Sequence, residues 1–487
     1  MNVLLLSMPD TAPHFNGKRW KAPNLAISSI AGNIKNHNVF IADLVLRRDK
    51  IEESVLELLQ KYRPSIVGLS AMSFQFDTSR KVAQLIKDEN REIKTVLGGY
   101  HATLMSDEIA DSGCSEPFDF LVRGEGDLSF NELLEAYEQK RDLKSVSGIS
   151  YKKEGKFIHN SPRPLENLHD IKLPARAKRV YKGYQYYSFA LDIIETSRGC
   201  TMPCNFCSID KMYGKSFREY SIERVMQDIG DAKKHGANFI IIADDNFSLN
   251  VKRFEDICDA IVDYGHNDIR YIIQASSAGI ASSEKLAEKM ARAGFRIVFL
   301  GIENVSKENL KNLQKGNIIE KTKIAVKKLH DQGIMIVGGM IIGHPNDKEE
   351  DIAENYEFFV GLDIDFFADQ ILTPYPKTPL RKEMIENGLV TNKYDYSRYN
   401  CFWANIKTNY LSPDELQFLR WKYNRKYADY ICTTRAFIKN YPAAYYYRTY
   451  LMRPYRKLKN RIFQKKLTER DLYRLDMKRA EDMNKFF

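Results

Sequence analysis

Two α/β units in tandem, followed by a helical region, are what this sequence predicts. Three observations carry that reading. Short apolar runs alternate with segments of helical period, and they do so in two separate series. Between the series lies "SPRPLENLHDIKLPAR", which has three prolines and no sustained period. The length of 487 residues exceeds one ordinary domain and suggests about two to three.

The first series occupies residues 1–140. Its strand candidates are "NVLLLSM", "NVFIADL", "SIVGLSAM", "KTVLGG" and "FDFLVRGEGD". Helical segments such as "IEESVLELLQKY" and "TSRKVAQLIKDE" lie between them. Strands and helices alternating at these lengths imply a doubly wound parallel sheet, a Rossmann-like domain covered on both faces. Ligands of such sheets sit at the carboxyl ends of the strands. Residues 141–187 read as a linker. The second series, 188–385, offers six strands: "LDIIETS", "FIIIADD", "IRYIIQASS", "RIVFLGIE", "IMIVGGMIIG" and "DFFADQILTP". Six such units describe an open (β/α)6 barrel with its site at the C-terminal strand ends. Residues 386–487 turn helical. Ser412 and Glu415 have the spacing of a capping box, with Pro413 at the first helical position.

Composition narrows the function classes. The apolar fraction is 44% and the charged fraction 28%, ordinary for a globular protein. No apolar run reaches the roughly 18 residues of a membrane span, and "MNVLLLSMPD" reads as a first strand, so the expected location is cytoplasmic. Seven cysteines are too few for a disulfide framework, and three are clustered. The other four, Cys114, Cys258, Cys401 and Cys432, read as core or incidental residues. The net charge of +10 indicates tolerance of anionic partners and little more.

The cluster is "RGCTMPCNFC", with Cys200, Cys204 and Cys207 spaced C-x3-C-x2-C. A structural zinc site takes four N/S ligands, usually in two pairs, and no second pair is present. A redox pair of Cys204 and Cys207 leaves Cys200 unexplained. Three thiolates suit a 4Fe-4S cube whose fourth iron stays open for a small molecule. The motif directly follows a strand, where a barrel places its site.

With these residues the chain resembles the radical S-adenosylmethionine enzymes. The resemblance implies that S-adenosylmethionine chelates the open iron and yields a 5′-deoxyadenosyl radical on reduction. Phe206 stands at the family's aromatic position before the last cysteine. The likeness runs on for about 200 residues. It implies amino-group contacts from "ADDNF" (Asp244, Asp245, Asn246) and further contacts from "QASS" (Gln274, Ser276). It implies a ribose or amino contact from Glu303 in "GIEN", and adenine contacts from the glycine-rich "GGMIIGHPND" (Gly338, Gly339, Gly343). "ADDNF" departs from the commoner Gly-Gly-Glu, and "GIEN" has Asn304 where serine is frequent.

The tandem order resembles the cobalamin-binding subgroup. That implies a corrinoid held by the strand ends of the first domain, with Ser70, Gly98, Gly99, His101, Gly124, Glu125 and Gly126 as candidates. The Asp-x-His-x-x-Gly motif that places a histidine on cobalt is missing, and His101 fits packing beside the corrin better than ligation. No G-x-G-x-x-G follows the first strand, which argues against a dinucleotide.

The tail, residues 445–466, places Tyr447, Leu451, Tyr455, Leu458 and Ile462 on one helical face. Arg456, Lys457, Lys459, Arg461, Lys465 and Lys466 crowd the same stretch. Three readings stand: a helix docked on the barrel, an anionic membrane surface, and, least favoured, nucleic acid. The expected activity is methylation of an unactivated carbon in a small-molecule or lipid-like substrate. A flavodoxin or ferredoxin as reductant follows from the resemblance. Radical cyclisation or another rearrangement is the alternative within the subgroup. A non-catalytic sensor or carrier is the alternative outside it.

Overall fold

The computed structural model describes residues 1–9, 20–428, 430, 433–455, 458 and 467–483. The first domain is built on β1 (Asn2–Ser7), β2 (Asn38–Asp43), β3 (Ile66–Ser70), β4 (Lys94–Gly98) and β5 (Phe120–Val122). These pair in parallel in the order β2-β1-β3-β4-β5. Along β1, Leu4 and Leu6 enter the core on one face, and Val3 and Leu5 enter the core on the other. The two-residue period therefore feeds two helical layers, as the uninterrupted apolar run implied. The order reverses between β1 and β3, so a crevice opens beyond Ser7 and Ser70.

The expected linker is partly sheet. β6 (Ile149–Lys153) and β7 (Lys156–His159) add an antiparallel hairpin to β5. Glu154 and Gly155 both have positive φ, 51° and 79°, the signature of a two-residue hairpin turn. The remainder of the linker is stitched down rather than loose. Arg176 is buried and binds Asp192 (3.0 Å), Asp228 (2.6 Å) and Asp231 (2.9 Å) of the second domain. Arg179 shares Asp192 at 2.8 Å.

The second sheet runs β8 (Phe189–Ile194), β9 (Phe239–Ile242), β10 (Arg270–Ser276), β11 (Phe295–Glu303), β12 (Met335–Ile342) and β13 (Phe366–Ile371). All neighbours are parallel and in sequence order. The barrel is open. The free edge of β8 takes Gln185–Tyr186 antiparallel, and that strand takes Trp20–Lys21 from the first domain's chain. Leu191, Phe239, Ile297 and Met335 form the floor of the lumen. Helix Arg435–Asn440 plugs it from below with Ala436 and Phe437. The chemistry is thereby confined to the upper end.

The helix Pro413–Lys426 carries the expected cap, Ser412 and Glu415 bonding reciprocally. Helix Glu469–Asp482 packs on it through Trp421 and Asp476, 3.0 Å apart. In the tail, Tyr447, Leu451, Tyr455 and Leu458 are all more than half exposed. Ile462 and the basic residues Arg456, Lys457, Lys459, Arg461, Lys465 and Lys466 lie outside the described residues, as does Cys432. No helix among the described residues is long and apolar enough to cross a membrane.

Candidate active site

The cysteine loop leaves the top of β8. Ser197–Arg198 pairs antiparallel with Arg218–Glu219, closing residues 199–217 into a loop with a two-residue neck. Gly199 has φ +88°, and a Cβ there would collide with the carbonyl oxygen of Ser216, so only glycine fits. Cys200, Cys204 and Cys207 are half-buried and free of disulfides. Burial pushes all three thiols up, Cys207 to about 11. Asn205 anchors the loop by donating to the carbonyl of Asn312 at 2.8 Å. Phe206 packs against the barrel core.

The residues of "ADDNF" divide their labour. Asp244 is fully buried, and its carboxylate accepts from Thr196 N, Thr196 Oγ1 and Ser197 Oγ, each at 2.6 Å. It therefore fixes the segment that leads into the cysteines, in place of the ligand contact the resemblance implied. Asp245 accepts from Gly199 N at 3.1 Å. Burial raises its carboxyl to about 6, with Asp244 and Glu195 adding to the rise. Asn246 Oδ1 accepts from Ser248 N (3.2 Å) and Oγ (2.9 Å). Ser276 caps helix Ser277–Ser282 and meets Ser248 Oγ at 3.0 Å. Gln274 is exposed although central in the sheet, because it faces the open lumen.

Glu303 closes β11 at a register shift with φ +67°, a strained conformation for a non-glycine residue. Its carboxylate meets Lys315 Nζ at 2.9 Å. Burial pulls the Lys315 ammonium down, but Glu303 and Cys204 more than reverse that, and its charge faces the cysteine loop. On β12 the two glycines face opposite ways. A Cβ on Gly338 would meet Phe359 and Ile364 in the helical layer, whereas one on Gly339 would meet Phe299 in the lumen. Gly343, φ +88°, sits against Leu416. The amides of Gly343 and His344 both donate to Asp347 at 2.9 Å.

In the first domain the strand ends approach one another through glycine. Gly99 has φ +94°, and a Cβ there would lie 2.6 Å from the carbonyl oxygen of Ala71. Ser70 and Gly98 end β3 and β4 as paired neighbours. Gly124 donates its amide to Thr103 Oγ1 at 3.0 Å, and Gly126 sits against Ile30. Two candidate side chains are engaged elsewhere. His101 is buried, its ring 4.2 Å from that of Phe76 and 5.2 Å from that of Tyr396. Glu125 is ion-paired to Arg198 and Arg218 of the barrel.

The comparisons with known proteins agree with this architecture. The Radical SAM superfamily matches residues 194–359, and the B12 binding domain matches residues 20–134. A protein of Pyrococcus horikoshii, the uncharacterized methyltransferase PH0819, is 32% identical over 86% of this chain and 90% of its own length. The chain belongs to the radical S-adenosylmethionine superfamily. Its B12 binding domain puts it in the cobalamin-binding subgroup. The anaerobic magnesium-protoporphyrin IX monomethyl ester cyclase of Rubrivivax gelatinosus is 28% identical over 81% of this chain and 71% of that protein. The hopanoid C-3 methylase of Methylococcus capsulatus is 26% identical over 80% and 73%. Among solved structures, the radical S-adenosylmethionine methyltransferase TsrM of Kitasatospora setae shares the fold with a TM-score of 0.67 at 19% identity, over 88% of each chain.

The residues of this radical S-adenosylmethionine protein fit the groups its family uses. Three thiols on one loop are one short of a tetrahedral zinc set and suit a cube with one open iron. Cys200, Cys204 and Cys207 would hold the cluster. The charges of Lys315, Glu303 and Asp245 act on the cysteine thiols, and Gln274 and Gly339 face the lumen. Ser70 lies at the first domain's switch point, where ligands of such sheets bind. Lys315 escaped the sequence reading because a lone lysine in "NLQKGN" carries no spacing signal. Arg198 was legible only as the residue beside "GC".

Proposed function

We propose that this chain is a cobalamin-dependent radical methyltransferase acting on an unactivated carbon of a small or lipid-like molecule. The observation that carries the reading is the B12-type domain set against a radical S-adenosylmethionine barrel, in a chain 32% identical to PH0819 across nearly its whole length. When bound, the cluster with S-adenosylmethionine supplies a 5′-deoxyadenosyl radical, and the corrinoid supplies the methyl group. The protein's own part is placement and shielding. The plug at Ala436 and Phe437 keeps water from the barrel floor. Asp245, whose carboxyl burial raises to about 6, accepts from the amide of Gly199 and holds the start of the cysteine loop. Phe299 and Gly339 give the lumen an apolar wall, and Gln274 offers it one polar contact.

Anaerobic production with cobalamin, followed by iron, sulfide and corrinoid analysis and product assay, tests this. About four irons and one corrinoid per chain are expected, with S-adenosylhomocysteine rising in step with methylated product. Formation of 5′-deoxyadenosine alone with the true substrate sinks methyl transfer. That outcome favours the second reading, a radical cyclase, which the 28% likeness to the Rubrivivax enzyme supports.

The proposal extends to partners. The reductant is a flavodoxin or ferredoxin. The exposed Tyr446, Tyr447, Tyr450, Leu451, Tyr455 and Leu458 of the tail, beside its basic run, favour contact with an anionic membrane surface over docking on the barrel. Flotation with phosphatidylserine-containing liposomes checks this. The triple change Tyr447→Ser, Leu451→Ser and Tyr455→Ser is expected to abolish flotation, and equal flotation removes the idea.

A further inference from the structure

The neck of the cysteine loop is bridged from the barrel's own side by Arg253, which donates to Thr196 O (3.0 Å) and Tyr220 O (2.8 Å), and from outside it by the first domain. Ser197–Arg198 and Arg218–Glu219 form a ladder of only two residue pairs, and a two-stranded ribbon even of full length is marginal alone. Each leg carries an arginine, and both arginines end on one carboxylate from the other domain. Arg198 Nη1 lies 3.0 Å from Glu125 Oε1. Arg218 Nη2 donates to the same oxygen at 2.8 Å, and its Nη1 donates to Oε2 at 3.0 Å. Glu125 belongs to "RGEGD", the loop after β5 of the B12 binding domain.

The surroundings complete the clamp. Asp127 Oδ2 takes Arg198 Nη1 at 2.8 Å, and its other oxygen accepts from Ser29 of the first domain. Glu195 holds Arg198 Nη2 at 2.7 Å and is itself bonded by Tyr220 at 2.7 Å. The amide of Glu166, from the linker, donates to Glu125 Oε2 at 2.9 Å. The Glu125 and Asp127 side chains are only 3% and 6% exposed. A charge in such a place is costly once its partner is gone. The sequence offered Glu125 as a contact for the corrin, yet its two oxygens are engaged by the other cofactor's loop.

We propose that Glu125 is a positioning residue: it staples the two legs of the cysteine loop, so that the B12 binding domain sets where Cys200 and its neighbours stand. Cys200 lies two residues from Arg198, so any splaying of the neck moves the first cluster thiol. The inference rests on family membership and not on the methyl-transfer reading, and its test needs no substrate.

Hydrogen exchange of the full-length protein, without cofactors, compares wild type with Glu125→Gln. The expected result is roughly tenfold faster exchange of the amides in 199–217, with β3, β4 and β10–β12 unchanged. Anaerobic reconstitution then gives an altered electron paramagnetic resonance signal of the reduced cluster while bound corrinoid stays at the wild-type level. Unchanged loop exchange overturns the proposal. So does faster exchange spread evenly over both domains, which marks a purely structural contact. Should Glu125→Gln fail to fold, Arg218→Lys keeps the charge but loses the fork. It is expected to raise loop exchange about threefold, and wild-type exchange in that variant overturns the proposal equally.

Discussion

The two domains end their strands differently. At the top of the barrel the polar side chains are spent on building: Asp244 holds Thr196 and Ser197, Asn246 and Ser276 share Ser248, and Glu303 takes Lys315. At the top of the first sheet the shape comes from backbone, with Gly99 pressed against Ala71 and Gly124 turned by a positive φ. The barrel site is a hydrogen-bonded frame around thiols, and the first domain is cleared of a side chain at Gly99, where backbone packs on backbone. A frame fails when one bond is cut, and a cleared surface fails when an atom is added. The two sites should therefore break under opposite kinds of substitution.

The largest effect is expected at the thiols. Cys200→Ala, Cys204→Ala or Cys207→Ala should bring iron and sulfide to background and abolish cleavage of S-adenosylmethionine, while corrinoid content stays unchanged. Metal and corrinoid analysis of the same sample checks both halves. Next comes the frame. Asp244→Ala leaves three buried donors without an acceptor and should cost about 3 kcal/mol, read as a lower midpoint in denaturant, with poorer cluster loading. Third is the cleared surface. Gly99→Ala puts a methyl where the φ of +94° and the Ala71 carbonyl forbid it. It should cost about 1–3 kcal/mol and lower corrinoid retention, with iron content at the wild-type level. Equal loss of both cofactors in either variant would show that the two sites do not break separately.

Much of this was legible in the sequence. Both sheets, their strand order along the chain and the cysteine loop follow from periodicity and spacing, because parallel strands are continuous apolar runs and the three cysteines stand within eight residues. The hairpin Ile149–His159 was hidden inside a proline-bearing stretch, although "KEGK" carried its turn. The pairing of Trp20–Lys21 with the barrel edge was not legible, since a two-residue strand has no period. At the site, the candidates come from the family resemblance, and their partners are not legible in the sequence. Asp244 and Glu125 are ligand contacts by resemblance, yet in the structure each carboxylate is taken up by protein partners. Which partner a buried carboxylate finds depends on residues far away in sequence, such as Arg198 for Glu125.

The smallest effect at neutral pH is expected at His101, and it sharpens the contrast between the sites. Burial lowers the imidazole to about 3, so it is neutral in the folded protein. Unfolded, it binds a proton below its ordinary value near 6.5. Between these values the unfolded state holds the extra proton, so stability falls as pH falls, by about 1.4 kcal/mol per unit from this group alone. Above about 6.5 the contribution is constant. His101→Phe removes a buried Nδ1 that has no hydrogen-bond partner among the described residues and keeps the stack on Phe76. The variant should match wild type at pH 7.5 and become progressively the more stable of the two toward pH 5, in paired denaturant titrations. Corrinoid content should also be retained, because the ring is packed between Phe76 and Tyr396. A loss of corrinoid in this variant would return His101 to the crevice wall, and the first domain would then share the barrel's habit of building with side chains.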